Sequence, residues 1–310
     1  MKTITPVLAA LVAAAVLAAG AATAARPSAY TIPGNAVFPE GIAYRLGTDR
    51  FYVGSTTDGT IFHGRLSRAA MGRFLPGGAD GRTTAIGMKV DSKGRLYVAG
   101  GGTGTVWVYD LATRNLIRKF ASGFSGAQFL NDLVIAKNGD AFVTDSLRPV
   151  LYRIPAGEVH AAGPGVLEPW LDLTSTPIVY ESGFNLNGII AARESKYLVV
   201  VQGNTGKLFR IEIATKAVVP IDLAGQTVMG DGLWLRGQTI YAVARPHIVE
   251  VLMADSFASG RVTSRTLNSS LAFPTTLAIA RGRMLVVNSQ FDKRSGTPQL
   301  PFTVSSIKVP

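Results

Sequence analysis

Six short segments of this chain are variants of one phrase, and they recur at a nearly constant interval. They are Pro39-Glu40-Gly41-Ile42, Ala85-Ile86-Gly87-Met88, Leu130-Asn131-Asp132-Leu133, Leu186-Asn187-Gly188-Ile189, Gly230-Asp231-Gly232-Leu233 and Pro274-Thr275-Thr276-Leu277. Their second residues lie 46, 45, 56, 44 and 44 positions apart. A period of this size is the mark of a repeat architecture. It constrains the fold more than any other feature, because equivalent positions of a closed ring of repeats face one another.

Each repeat carries the same script of short strands. In the third, residues 133–136 alternate, Lys137-Asn138-Gly139-Asp140 is a turn signal, 141–144 is a second strand, and 150–154 is a third after Arg148-Pro149. Segments such as 116–120 and 217–221 supply a fourth. Four strands in one period make a blade, so the expectation is an all-β chain, a six-bladed β-propeller. The segment after Thr275 falls short of a full period, and residues 27–40 make up the deficit. The ring is therefore expected to be closed by N- and C-terminal strands together, which removes exposed sheet edges. The one long interval, between Asn131 and Asn187, holds extra residues within 155–184. They are expected to form a loop over the face that carries the key residues.

Residues 1–25 read as a signal peptide. Lys2 precedes residues 5–22, almost all Ala, Val and Leu with one Gly, and the small residues of Ala22-Thr23-Ala24-Ala25 suit cleavage near 24–26. The expected product is a single propeller domain over 26–310, secreted or periplasmic, with no stable membrane span after cleavage. The chain has no cysteine, which excludes disulfides, thiol catalysis and Cys-ligated zinc. Its formal charge of +11 is spread thinly with no run of five basic residues, so no nucleic-acid partner is expected.

The start of an innermost strand sits at one mouth of a propeller's central channel. The ring there reads Glu40, Ile86, Asn131, Asn187, Asp231 and Thr275. Two carboxylates and two carboxamides facing one point form a hard-cation set, suited to Ca²⁺ or less strictly to Mg²⁺ or Mn²⁺. Without His or Cys the ring disfavours copper and zinc, and Zn²⁺ stays only as an alternative. The competing reading is that Asn187-Gly188 and Asp231-Gly232 are ordinary turn dipeptides.

These motifs resemble the senescence-marker-protein, gluconolactonase and regucalcin family of six-bladed propellers. The resemblance runs over the whole mature chain and rests on Pro39-Glu40-Gly41, Asn131-Asp132 followed by Asn138-Gly139 and Thr144-Asp145, Asn187-Gly188-Ile189, and Asp231-Gly232-Leu233. It implies one divalent cation, usually Ca²⁺, held by Glu40, Asn187 and Asp231, with Asn131 as a further ligand or substrate contact. It also implies hydrolysis of a lactone or related ester, with Asp231 as base or nucleophile.

The chain departs from the sugar-lactone pattern at Phe129, where the family would place an Arg. Phe184, Met229 and Met88 also stand near mouth positions, so the substrate is expected to be a small molecule less polar than a sugar lactone. Phe129, Phe184 and Thr275 are the expected substrate contacts. His63, His160 and His247 form no dyad by position, no Gly-Xaa-Ser-Xaa-Gly elbow is present, and the Gly100–104 run reads as a blade turn. Two alternatives stand beside the hydrolase: a non-catalytic, calcium-stabilised binding module, and a propeller enzyme of non-hydrolytic chemistry.

Overall fold

A computed structural model describes residues 26–309. The proposed signal peptide at 1–25 lies outside the described residues. Among the described residues the regular structure is strand and short 3₁₀ turn only, and no helix is long and apolar enough to cross a membrane.

Among the described residues the strands fall into six antiparallel groups of four, the first and sixth joined in one sheet through Ala29–Ile32. Their innermost strands are Pro39–Tyr44, Met88–Val90, Leu130–Ile135, Leu186–Ala192, Leu233–Arg236 and Pro274–Ala280. Each of these touches the next, and the sixth touches the first, so the groups stand as blades around a closed ring. This is a β-propeller. Each blade is sandwiched between two others, so a central strand must bury both faces. The strand Tyr197–Gln202 shows the consequence: Val199 and Val201 join the apolar cluster shared with the fifth blade, while Leu198 and Val200 join the cluster shared with the third. A continuous apolar run, rather than alternation, is the sequence trace of such a strand.

The ring closes as expected. Ala29–Ile32 pairs antiparallel with Phe302–Lys308, with Tyr30 opposite Val304. The N-terminal strand is thus the outermost strand of the sixth blade. Tyr30 and Ile32 are fully buried, and the Tyr30 hydroxyl donates to the Leu66 carbonyl at 3.0 Å. A parallel pairing of Thr31 with Ala70 ties the same strand to the first blade.

The repeated phrase has a packing cause. A Cβ on Gly41 would lie 1.9 Å from the Ile86 carbonyl oxygen, one on Gly87 2.4 Å from that of Asn131, and one on Gly188 2.4 Å from that of Asp231. On Gly232 it would meet the Thr276 hydroxyl at 2.2 Å. These glycines let neighbouring inner strands approach at the channel, where Gly87, Gly188 and Gly232 donate backbone hydrogen bonds to residues 131, 231 and 275 of the next blade at 2.8, 3.0 and 2.9 Å. None of the four has a positive φ. Asn187-Gly188 and Asp231-Gly232 are therefore not tight-turn dipeptides, and that competing reading is corrected.

The long insertion divides between the two faces. The strand Val150–Ile154 runs away from the key residues, so the chain after it emerges on the far side. There the turn Ala156–His160 receives the Asp140 carboxylate on the Ala156 N–H at 2.8 Å, and Arg118 pairs with Glu158 at 3.0 Å. Gly165–Val166 then adds to the second blade's outer strand. After Glu168–Asp172 returns, only residues 173–185 cover the key face, with Tyr180 donating to the Asp145 carbonyl at 2.5 Å. The expectation of one loop over that face holds for this second half alone.

Candidate functional site

Four of the six inner strands carry a register shift at the phrase, between residues 39 and 42, 130 and 133, 186 and 189, and 274 and 277. A bulge re-aims the side chain it contains. Here it turns Glu40, Asn131 and Asn187 toward the mouth of the channel. Glu40, Ile86, Asn131, Asn187 and Asp231 line one cavity of about 570 Å³, together with Thr56, Thr84, Phe129, Phe184, Phe273, Phe291, Arg245 and Arg294.

The structure thus brings together all four expected oxygen donors and two expected aromatic contacts. Thr275 is placed differently. It is fully buried, does not line the cavity, and donates to the Glu40 carbonyl at 3.3 Å, so it ties the sixth blade to the first. Its side chain is too short to reach past that backbone. Met88 is likewise a core residue between the first two blades, and Met229 is exposed outside the cavity lining. None of the three histidines lines the cavity.

The polar floor is tightly organised. Asn131 donates through Nδ2 to Ser146 Oγ at 2.8 Å, and Ser146 donates onward to the Leu186 carbonyl at 2.6 Å. With its nitrogen engaged, the Asn131 carboxamide has its oxygen free for the cavity. Glu40 is 7% exposed, and its Oε2 has no hydrogen-bond partner among the described residues. Burial holds the Glu40 carboxyl well above the usual carboxylate range, and the negative charges of Asp231 and Asp132 add to the shift against the pull of Lys89 and Arg245. Burial also raises Asp231, to about 6, although the Arg245 guanidinium and a hydrogen bond from Asn187 pull the other way. Arg245 donates to Asp231 Oδ2 at 2.6 Å. Below them Lys89 donates to Asp132 Oδ1 at 2.8 Å.

Two buried carboxylates, one with an orphaned oxygen, and a free carboxamide oxygen match a hard cation in donor chemistry. No group of three or more His, Cys, Asp or Glu stands together among the described residues, so a cation here would depend on the amide oxygens of Asn131 and Asn187. Arg245, through its ion pair, competes with a cation for Asp231.

The walls are apolar. Phe129 and Phe184 meet edge to face with centroids 4.9 Å apart, and Phe273 and Phe291 stand 6.1 Å apart. Arg245 and Arg294, which the repeat pattern does not single out, come from the loops that follow second strands. Those strands end beside the key residues: Pro39 pairs with Ser55 and Leu130 with Asp145. A residue some fifteen places after each key position must reach the mouth, and Arg245 stands fourteen after Asp231. That spacing is the signal from which it could have been found.

No protein-family model matches the sequence, and no curated protein matches it. Solved structures share the fold. The major allergen Mala s 1 of Malassezia sympodialis has a TM-score of 0.67 at 14% identity, over 91% of this chain and 96% of its own. Regucalcin of Agrobacterium tumefaciens, described as a calcium-binding protein, gives 0.64 at 14% identity, over 92% and 96%. Virginiamycin B lyase of Staphylococcus aureus gives 0.61 at 9% identity, over 91% and 98%. The chain shares the β-propeller fold of these structures.

Proposed function

We propose that this protein is a divalent-cation-dependent hydrolase of a lactone or related ester, exported by its N-terminal leader. The cation is Ca²⁺ by preference, held by Glu40, Asn131, Asn187 and Asp231. The observation that carries the reading is the buried Glu40 carboxylate with its unpartnered Oε2 beside a second buried carboxylate. A buried charge without a partner is costly, and a cation among these oxygens offsets that cost. When bound, the cation would polarise the substrate carbonyl and acidify a water.

The chain's own residues supply the rest. Asp231, which burial holds near 6 in the metal-free protein, is the carboxylate that takes the proton from water. Without a cation, Arg245 holds Oδ2 of that carboxylate. Phe129 and Phe184 exclude water and take an apolar portion of the substrate, which is how a site less polar than a sugar site is built. The calcium-binding description of regucalcin supports the cation by analogy of fold only, and propellers host many chemistries. One observation favours a second reading, a binding pocket without catalysis: the Arg245–Asp231 pair neutralises Asp231 without any metal.

Hydrolysis of γ-lactones and 4-nitrophenyl esters, followed with added Ca²⁺ and with EDTA, tests the proposal. Turnover that needs the cation and is lost in Asp231→Asn is the expected result. Turnover that is unchanged by EDTA overturns the metal role, and Ca²⁺ binding with no turnover on any ester favours the binding pocket.

A further inference from the structure

The wall of the cavity built by the fifth and sixth blades carries two arginines stacked on phenylalanines. Arg294 has its guanidinium 4.8 Å from the Phe291 centroid and 5.1 Å from that of Phe38, and it donates to Thr56 Oγ1. Arg245 lies 4.6 Å from the Phe273 centroid. The stacking places each guanidinium over an aromatic face. The third blade stands opposite the sixth in a ring of six. Phe129 and Phe184, from the third and fourth blades, therefore face this wall across the cavity.

Arg95 pairs with Asp91 at 2.6 Å and Arg118 with Glu158 at 3.0 Å. Arg82 lacks a carboxylate partner, but its guanidinium is spent on the Gly59 and Pro76 carbonyls and the Tyr109 hydroxyl. Among the described residues Arg294 pairs with no carboxylate, and desolvation alone acts on it, favouring its neutral form. A guanidinium that is partly desolvated, stacked and without an acidic partner is an anion receptor. Its planar fork matches a carboxylate in two parallel hydrogen bonds. The cavity volume of about 570 Å³ suits a small molecule.

We propose that this pocket takes an amphipathic carboxylate, its apolar body against the Phe129–Phe184 pair and its anionic head on Arg294. Arg245 is the second donor when a cation relieves it of Asp231. The inference rests on reading the cavity as a substrate site, and it narrows the substrate to a lactone or ester that also bears a free carboxylate. Arg294 is then a specificity determinant, distant from the reacting bond.

Calorimetric binding of 3-phenylpropanoate and of its neutral isostere 3-phenylpropanamide, in EDTA and again with excess Ca²⁺, tests it. In EDTA the anion is expected to bind about tenfold more tightly than the amide, as a charge-assisted pair requires. Arg294→Gln should bring that ratio close to one with the amide affinity unchanged, and Arg294→Lys should retain part of it. Arg294 is exposed, so neither variant threatens the fold. Equal affinity for the two probes, a ratio that survives in Arg294→Gln, or no saturable binding of the anion overturns the proposal. A protein that fails to bind Ca²⁺ but keeps its anion preference in EDTA removes the metal reading and leaves this one standing.

Discussion

Asp231→Asn should stabilise the protein when no metal is present, although it removes an ion pair. Burial lifts Asp231 from an ordinary 3.8 to about 6. At 1.36 kcal/mol for each pKa unit, keeping this group ionised above pH 6 costs the fold about 3 kcal/mol. The folded protein holds the proton more tightly than the unfolded chain does. This contribution to stability is therefore complete below pH 3.8 and is lost as the pH climbs to about 6. An amide of the same shape has no charge to desolvate. Against this gain stands the lost partner of Arg245, whose side chain is 40% exposed, so solvent limits that loss to about 1 kcal/mol or less.

The net expectation in EDTA at pH 8 is a gain of about 2–3 kcal/mol, or roughly 3–6 °C in Tm. At pH 4 the two proteins should differ little. With Ca²⁺ at a thousand times its Kd the wild type gains about 4.1 kcal/mol that the variant does not, and the order reverses. Urea or thermal unfolding of both proteins across pH 4–8 measures this directly. A variant less stable than wild type by more than about 1 kcal/mol at pH 8 in EDTA would refute the reasoning, because the ion pair would then outweigh the desolvation.

The packing carries three further expected outcomes. Gly188→Ala should destabilise by about 1–3 kcal/mol or more and weaken ligand binding, since its Cβ would press on the Asp231 carbonyl at 2.4 Å; an unfolding midpoint equal to wild type would show that the inner strands can separate freely. Removing residues 26–33 should expose Phe302–Lys308 as an edge and strip the fully buried Tyr30 and Ile32 from the core, giving aggregation at room temperature; a soluble, cooperatively unfolding product would contradict the closure described. Phe129→Ala and Phe184→Ala should each weaken binding of an aromatic probe about tenfold, from lost apolar contact, and unchanged affinity in both would place the apolar subsite elsewhere.

Much of the fold is legible in the sequence because the phrase and its period reflect a physical need repeated around a ring. The glycine after Glu40, Ile86, Asn187 or Asp231 admits the next inner strand, and nothing larger fits. The closing strand is legible from the missing fraction of a period. Single positions are harder. Thr275 shares the ring position of Glu40, yet a side chain ending at its β-hydroxyl is consumed by the Glu40 carbonyl. The insertion looks like a cover for one face when only its length is considered; the direction of the strand before it decides where the chain emerges. Arg245 and Arg294 belong to no repeated phrase. Their place depends on antiparallel pairing that returns the chain to the mouth, which is a property of the sheet rather than of local sequence.

The central claim is that Glu40 and its neighbours form a cation site, and one titration addresses it most directly. Ca²⁺ is titrated calorimetrically into EDTA-treated, desalted protein and into Glu40→Gln, in two buffers of different ionisation enthalpy. The account predicts one saturable site in the wild type, with proton release that grows as the pH falls toward 6 because the raised carboxyls must ionise to bind, and no site in the variant. Equal Ca²⁺ affinity in the two proteins, or no binding in the wild type, would contradict it.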